Sequence, residues 1–145
     1  REGNGFSYHY ARRMWSLADA DYLKYQYLNE FDRAMIEFVK EYHQLGKTTY
    51  RLWLDNDRKI IAFRNGDLVY LFNFHPTDSY ESFHLPIHDI GEFKVLMDSD
   101  EFRFGGFGRI SHDVTYTTEK LPGTDYDGIK IYIPSRTALV LKKVK

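Results

Sequence analysis

A mainly β chain, an antiparallel sandwich preceded by two helices, is the fold class that this sequence predicts, and three observations carry the prediction. Ile60 to Phe63 and Leu68 to Phe74 are apolar runs flanking Asn65-Gly66, a dipeptide that readily takes the positive φ of a tight type I′ hairpin turn. Between Leu45 and Thr49 the spacing of apolar residues changes from three and four to two. Beyond that boundary, short apolar stretches recur between clusters of Gly, Pro, Asp and Ser, the spacing of a sandwich.

The elements follow in order. Ser7 is placed to cap a short helix through Trp15, and Asp19 or Asp21 to cap a longer one. That second helix carries Leu28, Phe31, Met35, Phe38 and Tyr42 on one face. Its opposite face carries Lys24, Glu30, Arg33, Glu37 and Lys40, the mixed charge of a solvated surface, and Gly46 fits a C-terminal stop. Tyr50, Leu52 and Leu54 alternate as a strand, and the hairpin follows. Its second arm is apolar from Leu68 to Phe74, as a strand buried on both faces would be, and ends at His75-Pro76 because proline cannot donate to a ladder. Further strands are expected at Ser82 to Leu85, Glu92 to Met97, Gly128 to Ile133 and Ala138 to Val144, which brings the total to seven or eight.

Composition narrows the function. With 145 residues, 43% of them hydrophobic, the chain is long enough for one domain or a small domain plus an appendage. A net charge of −1 offers no electrostatic footprint for nucleic acid or an anionic membrane, both of which want clustered Lys and Arg. No cysteine is present, so no disulfide framework or thiolate metal site forms, and the cytoplasm is the expected compartment. No apolar run approaches the ~20 residues of a membrane helix, and neither a signal peptide nor a glycosylation sequon is recognisable. Twelve Tyr, 11 Phe and 2 Trp suit either sugar-stacking platforms or a heavily packed core, and the bulk of such side chains assigns most of them to the core. From the start at Arg1, without Met or a capping signal, a chain cut from something longer is expected.

Motifs for chemistry are sparse. Gly105-Gly106-Phe107-Gly108 lacks the Lys-Ser/Thr of a phosphate loop, and a mobile or bulged loop is expected there. Asp98-Ser99-Asp100-Glu101 lacks the later Gly and Glu of a calcium loop, so no metal site is expected. His9, His43, His75, His84, His88 and His112 show no ligand spacing, and His112-Asp113 alone is a weak dyad signal. No nucleophile elbow appears. The residues alone assemble no active site.

Read together, several blocks carry a resemblance. They are Ser7 to Arg13 (SYHYARR), Leu23 to Met35 (LKYQYLNEFDRAM), Phe72 to Pro76 with Ser79-Tyr80, Asp98-Ser99-Asp100, Phe104-Gly105-Gly106 and Tyr132 to Leu139 (YIPSRTAL). The chain resembles, almost end to end, the C-terminal part of the 1,4-α-glucan branching enzymes of the α-amylase superfamily. It departs at Phe107, where that family commonly has His, and matches loosely from Glu41 to Arg58.

The resemblance implies a division of the chain: residues 1–46 as the last helices of a catalytic (β/α)8 barrel and residues 47–145 as an all-β C-terminal domain. It implies α-glucan (glycogen or amylose) as substrate of the whole enzyme, an intramolecular contact with the barrel, and no cofactor. The reaction, transfer of an α-1,4-glucan segment to a 6-hydroxyl, needs two carboxyl groups about 5 Å apart. In the family these lie on earlier barrel strands, so no catalytic residue is expected here and the chain by itself should be inactive. The leading expectation is a structural role, with Asn73, His75, Ser79 and Arg136 as hydrogen-bonded fixtures of strand ends and turns. The competing one is glucan binding through exposed aromatics, with Trp53 and Tyr80 as candidates. Tyr8, Tyr10, Arg12 and Trp15, which closely follow the eighth barrel strand in the family, could border the substrate groove. A stand-alone carbohydrate-binding or interaction sandwich is the alternative outside the enzyme.

Overall fold

A computed structural model describes residues 14–145. The Ser7 cap, and with it Tyr8, Tyr10 and Arg12, lie outside the described residues. At the end of the helix expected there, Trp15–Leu17 forms a single 3-10 turn. One α-helix, α1 (Tyr25–Glu41), precedes nine strands among the described residues. These are β1 (Thr49–Asp55), β2 (Ile60–Asn65), β3 (Leu68–Asn73), β4 (Tyr80–Pro86), β5 (Glu92–Asp98), β6 (Thr115–Thr117), β7 (Glu119–Lys120), β8 (Asp127–Ile133) and β9 (Thr137–Lys143).

Every strand pairing is antiparallel. Six strands form one sheet in the order β1-β2-β3-β9-β5-β6, and three form the other in the order β4-β8-β7. Alternation along the strands sends one set of side chains into the space between the sheets. Ile60, Ala62, Val69, Leu71, Phe93, Val95, Leu139 and Leu141 enter it from the larger sheet, and Phe83, Leu85, Ile129, Ile131 and Ile133 from the smaller. No helix among the described residues is long and apolar enough to cross a membrane.

The hairpin forms where expected, with a different turn. Asn65 pairs with Leu68, so the central residues are Gly66 and Asp67, not Asn65 and Gly66. Gly66 has φ 58° and Asp67 stays at negative φ, the pattern of a type II′ turn, in which only the first central residue needs the left-handed region. Asn65 turns its amide elsewhere: Nδ2 donates to the Gln44 carbonyl (2.9 Å) and to Gln44 Oε1 (3.2 Å).

Helix α1 starts later and stops earlier than expected. Neither Asp19 nor Asp21 caps it; Lys24 stands at the N-cap without a side-chain bond. At the other end Gln44 N donates to Val39 O (3.1 Å) and His43 N to Lys40 O (3.3 Å), the paired bonds of a Schellman motif, with His43 at φ 49° where glycine is usual. Gly46 lies beyond the stop. Gln44, buried, also accepts from the Tyr70 hydroxyl (3.2 Å), so one side chain joins the helix end, the hairpin turn and β3. The apolar face divides: Phe31, Met35, Phe38 and Val39 line a cleft against Tyr70, Phe72 and Val140 on the outer face of the larger sheet, whereas Leu28 is exposed.

Three of the four expected polar fixtures bond through their side chains. Buried Asn73 donates to Asp78 O (2.9 Å) and Pro134 O (3.0 Å) and accepts from His75 N (2.9 Å). His75 Nδ1 accepts from Asp78 N (2.9 Å), and Ser79 Oγ accepts from Ser135 N (3.0 Å). Arg136 contributes backbone instead, at φ 55° in the β8–β9 turn. Removing one such bond costs about 1 kcal/mol. His75→Ala should therefore lower the melting temperature by on the order of 4 °C; differential scanning calorimetry on wild type and variant checks this, and coincident curves would contradict it.

Candidate functional site

Two places concentrate chemistry-bearing residues: an open groove at one end of the sandwich, and a loop bound to buried carboxylates between β5 and β6.

The groove, of about 510 Å³, lies where edge strand β1, edge strand β4 and the β7–β8 turn meet. Trp53, Arg58, Ser82, His84 and Tyr126 line it together with apolar Phe83, Pro86, Leu121 and Pro122. Two β-bulges shape its sides. In β1 the register shifts between Arg51 and Trp53, and in β4 between Tyr80 and Phe83. A bulge sets two successive side chains toward one face. Leu52 thus packs on the core while Trp53, opposite Ala62, reaches the groove and stays 39% exposed.

Tyr80 is not in the groove. Its ring packs on the core and lies under the Arg58 guanidinium, 5.6 Å from the ring centroid. The aromatic that joins Trp53 is Tyr126, 54% exposed, whose ring meets His88 edge to face at 4.9 Å. Strand alternation in sequence did not reveal this pairing, because the bulge at Leu52 changes which face Trp53 occupies. Trp15 lies far along the chain, on an exposed apolar depression formed with Met14, Leu17, Tyr25 and Leu28.

The loop is organised by Asp100, which is 4% exposed. Its carboxylate accepts from Phe107 N (3.3 Å), Arg109 N (2.9 Å), Arg109 Nε (2.9 Å) and Arg109 Nη2 (2.9 Å). Burial pushes this carboxyl up, and the Arg109 and backbone bonds outweigh it, holding it below the usual carboxylate range. The glycine cluster wraps this carboxylate: Gly108 N donates to Asp100 O (2.7 Å), and a side chain at Gly106 would collide with the Asp100 backbone. The loop expected to be mobile or merely bulged is bonded in place.

Asp98 stands beside it with Glu101 and His112, one ligand atom of each within 4.8 Å of the others. His112 pairs with Asp98 (Nε2 to Oδ2, 2.7 Å), 14 residues away, and not with its neighbour Asp113. Burial pushes the Asp98 carboxyl up, against the pull of the His112 bond. These three residues are the described ones that could hold a metal, yet each is already engaged. Asp98 Oδ1 accepts from Asp100 N (2.7 Å), and Glu101 is held twice by Arg103 (2.8 and 3.2 Å). A cation would have to displace His112 and Arg103, so the arrangement fits an internal ion-pair set better than a metal centre.

Comparison with known proteins places this architecture. The chain is similar to the 1,4-alpha-glucan-branching enzyme of Solanum tuberosum, with 41% identity over 99% of this chain and 17% of that protein. It is similar to the same-named enzymes of Yarrowia lipolytica (42%, over 99% of this chain and 21% of the relative) and Saccharomyces cerevisiae (40%, over 95% and 20%). The chain thus spans about a fifth of the length of the curated relatives it matches. The family model described as "Alpha amylase, C-terminal all-beta domain" matches residues 51–144, a range that begins inside β1 and ends one residue after β9. By sequence and by its antiparallel two-sheet architecture, the chain belongs to the alpha-amylase C-terminal all-beta domain family.

Proposed function

We propose that this chain is the C-terminal part of a 1,4-α-glucan branching enzyme, in which it is the accessory β domain and supplies no reacting group. The observation that carries the reading is similarity over nearly the whole chain to relatives that all bear that enzyme's name. Residues 1–46 are then the end of the catalytic barrel and residues 47–145 the β domain. The substrate is glycogen or amylose, and the setting is cytoplasmic.

Retaining transfer between glucan chains needs two carboxyl groups about 5–5.5 Å apart, one attacking the anomeric carbon and one exchanging a proton with the leaving and entering oxygens. Both must face an open cleft. Asp98 and Asp100 are 2% and 4% exposed, and their oxygens serve the bonds described above. That supports an accessory role, with the reacting acids supplied by the barrel. The apolar strip of Met14, Trp15, Tyr25 and Leu28, all more than half exposed, supports coverage by that barrel. Tyr8, Tyr10, Arg12 and Trp15 would then border its substrate groove.

The test compares the 145-residue chain with the complete protein that contains it, each incubated with amylose and read by proton NMR for new α-1,6 linkages. The complete protein should form them and the chain alone should not. A complete protein that forms none would overturn the enzyme assignment, and a chain that forms them alone would overturn the accessory role.

A further inference from the structure

We infer that the groove between Trp53 and Tyr126 is a docking site for a linear α-linked glucan, separate from the reacting centre; the choice of sugar rests on the branching-enzyme reading. The groove offers two kinds of surface at once. Trp53 and Tyr126 both line it as partly exposed aromatic residues, 39% and 54% accessible. Lining the same groove are polar groups with hydrogen-bonding capacity to spare: among the described residues neither the Ser82 hydroxyl nor the His84 ring takes a hydrogen bond, and Arg58, which lies over the Tyr80 ring and 3.9 Å from Asp55, keeps its side chain 56% exposed. A ligand that satisfies both must carry a flat C–H face and a rim of hydroxyls. A pyranose has that shape, with its C–H face on the ring and its hydroxyls toward Arg58, Ser82 and His84.

Other ligand classes fit less well. A phosphate-bearing chain would want several fixed cations, and the groove supplies Arg58 alone as a permanent one. A purely apolar partner would strand Ser82, His84 and Arg58 without bonds as it excluded water. The site is also held in shape beforehand. The bulge at Leu52 fixes Trp53, and His88, at φ 58°, buttresses Tyr126 edge to face. Holding the rings in place before the sugar arrives lowers the ordering cost of binding. At about 510 Å³ the groove is within the range of small-ligand sites, ~300–1,000 Å³.

The test uses the complete protein in native gels containing glycogen, with Trp53→Ala, Tyr126→Ala and the double variant run beside wild type. Affinity for glycogen should fall about tenfold for each ring, the equivalent of ~1.4 kcal/mol. Branching of short amylose should persist, because neither residue is placed in the catalytic machinery. Equal retardation of wild type and the double variant, with branching intact, would overturn the docking site and leave the enzyme reading standing. A wild type that neither branches amylose nor is retarded would overturn both. Thermal unfolding of the same samples detects misfolding; should Trp53→Ala misfold, Tyr126→Ala, on an exposed turn, decides the outcome.

Discussion

Asp100→Ala is expected to destabilise the β domain by about 3–5 kcal/mol, the cost of breaking a buried ion pair from one side. Four donors lose their acceptor together: Phe107 N, Arg109 N and two guanidinium nitrogens of Arg109. Arg109 would keep the Ser135 carbonyl (3.1 Å) as its hydrogen-bond acceptor, beside the Phe107 ring 5.3 Å from its guanidinium, while its side chain remains 28% exposed and partly desolvated. The glycine loop would lose the group around which it is wound. Urea unfolding followed by tryptophan fluorescence measures the change; an unaltered midpoint would mean that the loop holds itself.

Asp100 also sets a pH dependence. Because its folded pKa lies below the unfolded value, its stabilisation is complete above the ordinary carboxylate pKa of ~3.9 and is lost as pH falls through the lower, folded value. Asp100→Asn keeps the shape without the titration. Stability of wild type should therefore fall more steeply below about pH 4 than that of Asp100→Asn, and parallel curves would contradict the assignment.

Periodicity and turn chemistry made the sheet legible. The hairpin arms, β5, β8 and β9 sit within two residues of their expected bounds, because alternating burial selects one register. β6 and β7, of three and two residues, are too short to show a period, and only pairing with β5 and β8 defines them. The helix ends were misread for a tertiary reason. Asp19 and Asp21 favour caps locally, yet α1 starts at Tyr25 without a side-chain cap, packs Phe31 from its second turn on Phe104 (ring centroids 5.1 Å) and stops where Gln44 can bond Tyr70.

The candidate sites were less legible than the fold. Trp53 was visible as an unusual residue near a boundary, but its partner Tyr126 lies 73 positions along the chain in a turn of the other sheet. Two bulges and a turn bring the two together, and neither bulge leaves a composition signal. Asp98 and His112 pair for the same kind of reason: the loop between them folds back around Asp100, so sequence proximity to Asp113 was the wrong guide. Polar residues within one tight turn were easier to read. His75 and Asn73 act over distances of two to five residues, which is the reach of local turn chemistry.

Asn73 acts over a long distance as well, and its replacement should have the second large effect. Its Nδ2 bridges Asp78 O and Pro134 O, tying the end of β3 to the β8–β9 turn 61 residues away, while its Oδ1 accepts from His75 N. Asn73→Ala strands these buried groups and should cost about 3 kcal/mol, since each unsatisfied buried group costs ~1–3 kcal/mol. Asn73→Asp should cost more at neutral pH, although the side chain is almost isosteric. A carboxylate can only accept, so it would face the carbonyl oxygens of Asp78 and Pro134 without a proton to share. Burial and those oxygens would raise its pKa, and the sign of the pH effect is then opposite to that of Asp100. While the new carboxyl is protonated its single O–H can serve only one of the two carbonyls, so the penalty is smaller there; it grows as pH rises above the ordinary carboxylate pKa of ~3.9 and is complete at the raised folded pKa. Asn73→Asp should therefore lie closer in stability to wild type at pH 4 than at pH 7 in paired urea titrations. A constant gap between the two would show that solvent reaches the 73 side chain and that its bonds do not hold the turn.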